Sequence, residues 1–150
     1  MAYLIDTNVL LRTLQPADSD YLMAVQAVDA LFDQNEDVYV TPQNLIEFWS
    51  VATRPQVQNG LGLTSQQISE QLEALEAIFH LLPENPQIYA QWRRLVVAYE
   101  VSGVQVHDAR LAASALAHNV SHVLTFNGRD FTRFAPEGLT VVHPSELASV

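Results

Sequence analysis

The 150-residue chain is predicted to form one α/β domain with a mainly parallel sheet covered by helices on both faces. Short apolar runs alternate with longer segments whose apolar residues recur at helical spacing, which is the pattern of such a sheet. The chain is 49% hydrophobic and long enough for a proper core. No linker, repeat or low-complexity run divides it, so residues 1–150 are expected to be a single domain.

The first half of the chain is expected to contain two strands and three helices. Asp18 or Ser19 is the expected cap of the second helix, and Thr41 with Pro42 starts the third. The elements in order are a strand at 3–5, a helix at 7–14, a helix with the apolar residues Leu22, Val25, Val28, Leu31 and Phe32, a strand at 38–40, a helix at 42–52 and a loop at 56–63.

The second half is expected to alternate helices with three further strands. A capping box of Thr64 with Gln67 opens the first of these helices, and Asn85-Pro86 opens the next. The elements in order are a helix with the apolar stripe Ile68, Leu72, Leu75 and Phe79, a strand at 81–82, a helix closed by Ser102-Gly103, an alanine-rich helix from His107 to Ala117, a strand at 122–124, a polar turn at 125–130, a strand at 139–142 and a helical turn from Pro144 onward.

Composition excludes several classes of protein. The chain has no cysteine, which excludes disulfides and thiolate metal ligands and fits a reducing compartment. No apolar run approaches the length of a membrane span, so we expect a cytoplasmic protein with no membrane partner. The net charge of −10 argues against a nucleic-acid binder that works through a basic patch. It does not argue against an enzyme whose phosphate contacts run through bound cations.

Four acidic residues occupy positions that packing does not explain. Asp6 lies where an apolar strand gives way to an apolar helix, and a buried charge is costly unless it is paired or bound to a metal. Glu47 interrupts the apolar run at 45–49. Asp108 opens the alanine-rich helix, and Asp130 follows a later strand. Because the carboxyl ends of parallel strands meet at one edge of a sheet, these acids are expected to converge.

Each of these acids also has a purely structural explanation. Asp6 and Asp108 are both suited to the start of a helix, where a carboxylate caps free N–H groups and the dipole favours negative charge. Glu47 is able to pair with an arginine such as Arg12 or Arg110, as buried acids require. The fourth acid lies in a polar turn, where acidic residues are common. Convergence at one edge weakens these explanations when they are taken together.

Converging carboxylates predict a hard cation. They repel one another and take up protons unless a divalent ion neutralises them, and oxygen ligands select Mg²⁺ or Mn²⁺. Such an ion lowers the pKa of a bound water and holds a phosphodiester for in-line attack. The histidines show no HExxH-like spacing, and the chain contains no glycine-rich phosphate loop.

The order and spacing of these motifs resemble the PIN-domain family, especially the VapC-type toxins of bacterial toxin–antitoxin pairs. The resemblance implies a Rossmann-like three-layer α/β/α sandwich and a Mg²⁺- or Mn²⁺-dependent ribonuclease. It matches Asp6, Glu47 and Asp108 to the acidic triad of the family, with Asp6 and Asp108 as the direct metal ligands. The segments that carry the resemblance are Leu4-Ile5-Asp6-Thr7-Asn8-Val9-Leu10, Glu47 in its helix, Val106-His107-Asp108-Ala109 and Thr125-Phe126-Asn127-Gly128-Arg129-Asp130-Phe131.

The fourth acid varies within that family. Some members have aspartate where Asn127 stands here, and others keep the asparagine with an acid three residues later, as Asp130 is. By resemblance, Asn127 orients a metal-bound water, and Asp130 binds a second metal or supports the site. Thr7 and Asn8 are expected to position Asp6 and water, and Thr125 to contact metal-bound water or phosphate.

The expected reaction is hydrolysis of RNA by a metal-activated water. Glu47 or Asp130 is the candidate proton acceptor, and Arg12, Arg110 and Arg129 are candidates to hold phosphate because they lie nearest to the acidic motifs in sequence. The resemblance also implies two protein partners, a cognate antitoxin and a second copy of the chain in a homodimer.

Two alternatives belong to other classes of protein. A haloacid-dehalogenase-type phosphohydrolase also places an aspartate after its first strand, but it needs a second aspartate two residues later, where Asn8 stands. The other alternative is a catalytically silent PIN-like module that acts by binding a partner. The intact acids argue against the silent module, whereas the net charge of −10 and the scarcity of arginines leave the RNA affinity expected of a ribonuclease unexplained.

Overall fold

The computed structural model describes residues 1–148, so the end of the terminal helical turn expected from Pro144 onward lies outside the described residues. The strands form one sheet in the order β3-β2-β1-β4-β5, and every pairing of neighbours is parallel. The predicted α/β class with a mainly parallel sheet is therefore confirmed. The strand bounds are β1 Ala2–Ile5, β2 Asp37–Val40, β3 His80–Leu81, β4 His122–Leu124 and β5 Thr140–Val142.

Helices connect successive strands, and their starts follow local capping chemistry. The predicted N-caps Thr41 and Thr64 both accept a hydrogen bond from the backbone N–H three residues later. The α-helices of the described residues are α1 Thr7–Arg12, α2 Tyr21–Asp33, α3 Pro42–Thr53, α4 Ser65–Ile78, α5 Pro86–Ala98 and α6 Gln105–Ala117. Short 3₁₀ helices lie at Gln56–Gln58, inside the predicted loop, and at Gly128–Asp130, Thr132–Glu137 and Pro144–Glu146.

The sheet separates two apolar cores. Tyr3 and Ile5 of β1 pack with residues of α1 to α4 on one face, whereas Leu4 packs with residues of α5 and α6 on the other. This division follows from the alternation of side chains along a strand. The result is the expected three-layer α/β/α sandwich. Within residues 1–148, no helix is long and apolar enough to cross a membrane.

Two helices end earlier than the sequence predicts. α1 stops before the expected Leu14 because the N–H of that residue bonds to the Leu11 oxygen (3.1 Å), which tightens the last turn into 3₁₀ geometry. α5 stops before the expected Ser102-Gly103 because Glu100 adopts a positive φ of 51°. Glycine usually occupies that terminating position, so an acidic residue there was not foreseen.

Two helix starts also differ from expectation. α2 begins after Asp20 rather than after Asp18 or Ser19, because the Asp18 carboxylate accepts the Asp20 N–H (2.8 Å) in the preceding turn. α6 begins at Gln105, two residues before its predicted start. Asp108 therefore lies inside the first helical turn and is not the N-cap. β3 is shifted one residue toward the N-terminus relative to the prediction.

Candidate active site

Four elements bring the four singled-out acids to the carboxyl edge of the sheet. Asp6 follows β1, and its N–H bonds to the Leu124 oxygen at the end of the neighbouring β4 (3.0 Å). Glu47 lies in α3, Asp108 in α6, and Asp130 in the 3₁₀ helix after β4. The pKa of Asp108 is raised by its burial first, and then by the charges of Asp6, Asp130 and Glu47. Asp108 therefore lies close enough to the other three carboxylates to feel the charge of each.

Asp6 is buried and held by neutral donors. Its side chain is 6% exposed and accepts hydrogen bonds from the Thr7 N–H (2.7 Å), the Thr125 hydroxyl (2.8 Å) and the Asn8 amide (3.2 Å). Burial raises the pKa of Asp6 to about 6, against the lowering effect of the Thr125 and Thr7 hydrogen bonds. Asp6 thus caps α1, as its structural explanation requires, and also presents a carboxylate at the sheet edge.

Thr125 holds the loop after β4 against Asp6. Its fully buried hydroxyl donates to Asp6 and accepts from the Asn8 amide (3.2 Å) and from the Asn127 N–H (3.0 Å). The Asn8 side chain also accepts the Phe126 N–H (3.2 Å). These hydrogen bonds position Asp6, and contact of Thr125 with metal-bound water or phosphate stays a prediction. The Asn127 side chain is exposed.

Glu47 is oriented through both of its carboxylate oxygens. Oε2 accepts from the Thr7 hydroxyl (3.0 Å), and Oε1 accepts from the Gln43 amide (2.8 Å). The fully buried Asn44 donates to the Thr7 hydroxyl (3.2 Å) and so fixes its direction. The alternative explanation of Glu47, an ion pair with Arg12 or Arg110, is not found among residues 1–148, where neutral donors occupy both oxygens.

Asp108 is partly exposed, and its surroundings disfavour its charge. Burial and the neighbouring acids raise the pKa of Asp108 to about 7, and the charge of Arg133 opposes them. Arg133 is positioned by Gln105, whose side-chain oxygen accepts from the guanidinium (2.5 Å). The sequence reasoning did not single out Arg133, since it lies outside every motif and reaches the site only through the fold.

Two of the three arginines expected to hold phosphate are already engaged by the protein. The Arg12 guanidinium lies 4.6 Å from the centre of the Phe126 ring, and its Nε lies 3.4 Å from an Asp20 carboxylate oxygen. Arg110 donates to Glu84 (2.7 Å). These contacts hold both guanidinium groups against the domain, although the buried Nε of Arg12 has no hydrogen-bond partner among the described residues. Phosphate binding by Arg12 and Arg110 stays a prediction.

The third arginine lies beside the acidic edge. Arg129 is exposed and lines a depression of about 460 Å³ together with Asn127 and Asp130. Asp130 is the one of the four acids that lines this depression. Arg129 thus shares a depression with Asp130, and Arg133 acts electrostatically on Asp108.

The donor set fits a hard divalent cation that keeps part of its water shell. Among residues 1–148, no three acidic or histidine side chains converge closely enough to hold a metal ion alone. Mg²⁺ commonly binds through one or two carboxylates and completes its octahedron with water. Asp6 and Asp108 supply oxygen donors whose raised pKa values a nearby cation would lower. The chemistry of the pair therefore fits Mg²⁺ or Mn²⁺.

Comparison with known proteins identifies the family. A family model described as PIN domain matches residues 3–136, which include all four acids. The chain belongs to the PIN domain family. No curated protein matches the chain in sequence.

Solved structures share the fold of this PIN domain at low sequence identity. VapBC-1 from nontypeable Haemophilus influenzae is 18% identical with a TM-score of 0.72, and covers 97% of this chain and 99% of its own. FitAcB from Neisseria gonorrhoeae is 25% identical with a TM-score of 0.67, at 97% and 99% coverage. VapC20 from Mycobacterium tuberculosis, described as a sarcin-ricin loop cleaving toxin, is 13% identical with a TM-score of 0.65, at 92% and 96% coverage.

Proposed function

We propose that this PIN domain is a Mg²⁺- or Mn²⁺-dependent endoribonuclease and the toxin component of a toxin–antitoxin pair. The observation that carries the proposal is the joint presence of Asp6 and Asp108, whose pKa values are raised to about 6 and about 7, at the carboxyl edge of the sheet. A divalent cation stabilises both charges at once. Membership of the PIN family and the likeness to VapC20 support RNA as the substrate class.

Each residue of the proposed site has a separate role, which follows from its position. Asp6 and Asp108 would hold the cation. When bound, the cation would supply an activated water and act as a Lewis acid on the phosphodiester. Glu47 keeps a fixed orientation through its two hydrogen bonds, so it is a candidate proton acceptor at a defined place. Asp130 is the second candidate. Arg129 replaces the engaged arginines as the side chain placed to attract phosphate.

RNA cleavage by the purified chain tests this proposal. Asp6→Asn and Asp108→Asn are each expected to lower the cleavage rate at least about 100-fold, because each removes a carboxylate from the cation site. EDTA is expected to abolish cleavage by the wild type, and added Mn²⁺ to restore it. Mapping of RNA ends after induced expression then identifies the target sequence.

Asp33→Asn is the matched control, because it removes an exposed carboxylate of α2 away from the sheet edge. It is expected to cleave at the wild-type rate. Full activity of Asp6→Asn or of Asp108→Asn, with circular dichroism unchanged, would contradict the proposal. A wild-type chain that shows neither saturable Mn²⁺ binding in calorimetry nor cleavage would instead favour the silent binding module.

The proposed protein partner is a cognate antitoxin. A solved toxin–antitoxin complex from Klebsiella pneumoniae shares the fold of this chain, as do VapBC-1 and FitAcB. An apolar depression of about 350 Å³ between α3 and α4 includes Ile46, which is 69% exposed, beside Leu45 and Trp49. An apolar antitoxin segment would bury this surface, and an arginine on it would be attracted to the acids. The homodimer and the cytoplasmic location stay predictions.

A further inference from the structure

Gln43 connects the two helices that carry Glu47 and Asp108. Its side chain is 9% exposed and lies one turn before Glu47 in α3. Its Nε2 donates both to Glu47 Oε1 (2.8 Å) and to the backbone oxygen of His107 (2.8 Å), the residue before Asp108. Its Oε1 accepts from Arg110 Nη1 (3.1 Å). One amide therefore joins a carboxylate of α3 to the first turn of α6.

The orientation of this amide is determined by its partners. Two acceptors face the nitrogen and a guanidinium donor faces the oxygen, so a rotated amide would place acceptor against acceptor and donor against donor. Arg110 is itself held by Glu84 (2.7 Å), which extends the network to the loop before α5. The two N–H groups and the oxygen of Gln43 are all engaged, and the amide is rigid as a result.

We infer that Gln43 is a positioning residue that sets the spacing between Glu47 and Asp108, a role that rests on the proposed cation site. Thr7 holds the other oxygen of Glu47 and belongs to the segment of Asp6. Glu47 is thus fixed to the Asp6 side through Thr7 and to the Asp108 side through Gln43. The amide neutralises no charge, so its contribution is geometric. Groups that orient the ligands of a metal site commonly affect affinity or activity by 10- to 100-fold.

Gln43→Met tests the inference in the full chain. Methionine keeps the length and neutrality of the side chain but removes the donors and the acceptor. We expect the Mn²⁺ dissociation constant, measured by calorimetry, to rise about 10-fold. We expect kcat for RNA cleavage to fall 10- to 100-fold while KM stays near the wild-type value. Gln66→Met, at an exposed position of α4, is the matched control and should leave both quantities unchanged.

A double-mutant cycle separates positioning from general stabilisation. If Gln43 acts through Glu47, then Gln43→Met adds little further loss of kcat in a Glu47→Gln background. Losses that multiply independently would overturn the inference, as would wild-type Mn²⁺ affinity and kcat in Gln43→Met. A lower melting temperature in Gln43→Met with both quantities unchanged would also overturn it, since the role would then be structural only.

The same measurements distinguish failure of the inference from failure of the proposed function. A wild-type chain that binds Mn²⁺ but cleaves no RNA would overturn the ribonuclease proposal, while the Mn²⁺ affinity of Gln43→Met would still decide the positioning role. A wild-type chain that binds no Mn²⁺ would overturn both together.

Discussion

The two halves of the acidic site differ in how their carboxylates are held. Asp6 accepts three hydrogen bonds and Glu47 accepts two, all from neutral groups of α1, α3 and the loop after β4. Across residues 1–148, the carboxylates of Asp108 and Asp130 accept no hydrogen bond from the protein. One half is thus organised by the fold, and the other half is left to interact with something else.

This difference bears on where a cation would have its effect. Hydrogen bonds to a carboxylate stabilise its charged form, and they lower the pKa of Asp6 in opposition to its burial. Asp108 has no such support, and its pKa is raised to about 7 although it is less buried than Asp6. A bound cation would therefore stabilise the charged form of Asp108 more than the charged form of Asp6. Asp6 provides a rigid reference point, and Asp108 provides the charge that most needs compensation.

The largest expected effect is a pH dependence of stability without metal. Because the folded state binds the Asp6 proton with a pKa of about 6 instead of 3.8, the free energy of unfolding falls as pH rises from about 4 to about 7. The Asp6 shift corresponds to about 3 kcal/mol, and Asp108 acts in the same direction. Urea unfolding in EDTA, compared between the wild type and Asp6→Asn/Asp108→Asn, isolates these two groups from the other acids.

The sign of this dependence is diagnostic. As pH rises, the free energy of unfolding of the wild type should fall relative to that of the double variant. Saturating Mn²⁺ should cancel this change, because a ligand that binds the folded state stabilises it by mass action. A difference that stays constant between pH 4 and 7 would show that the two carboxylates are not perturbed as described.

A smaller effect is expected when one hydrogen bond of the organised half is removed. Thr125→Val keeps the shape of the side chain but deprives Asp6 of a donor. It also removes the acceptor of the Asn127 N–H and one of the two acceptors of the Asn8 amide. Buried polar groups left unpaired cost about 1–3 kcal/mol. We expect Thr125→Val to lower the free energy of unfolding by about 2 kcal/mol at pH 7.

Asn127→Ala is the comparison for that change, because the Asn127 side chain is exposed on the weakly held side of the site. It should alter stability by less than about 0.5 kcal/mol. Equal losses in Thr125→Val and Asn127→Ala, measured by urea unfolding, would remove the distinction between an organised and a weakly held half.

The organised half also shows which contacts are visible in the sequence. The strand, the acid and the helix around Asp6 follow from a local pattern of apolar and polar residues, and so does the parallel sheet that places Asp6 at an edge. Glu47 stood out because it interrupts an apolar run. Its partner Gln43 did not, since the hydrogen bond to the His107 oxygen joins residues 64 positions apart. Such contacts depend on how α3 and α6 pack.

Local signals did not show which partners the fold gives to the arginines. Arg12 and Arg110 were chosen as phosphate contacts for their nearness in sequence, but Asp20 and Glu84 engage them. Arg133 was overlooked because only tertiary structure brings the 3₁₀ segment that carries it beside Asp108. Sequence patterns therefore singled out the acids, whereas the arginine beside Asp108 could be found only from the fold.

The smallest predicted effect distinguishes the two metal-binding acids directly. In EDTA at pH 8, Asp108→Asn should raise the free energy of unfolding by about 1 kcal/mol, because it removes a charge that the fold leaves unsupported. Asp6→Asn should give no such gain. An amide at position 6 has to point its NH₂ at a donor, either the Thr7 N–H or the Asn8 amide.

Saturating Mn²⁺ should reverse the order of stability of the wild type and Asp108→Asn. The wild type gains stability from the ion, whereas Asp108→Asn loses a ligand and gains less, so the variant becomes the less stable protein. Melting temperatures of the three proteins with EDTA and with Mn²⁺ provide the measurement. If Asp6→Asn were stabilising in EDTA to the same extent as Asp108→Asn, the hydrogen bonds of Asp6 would not be supporting its charge, and the contrast between the two halves would fail.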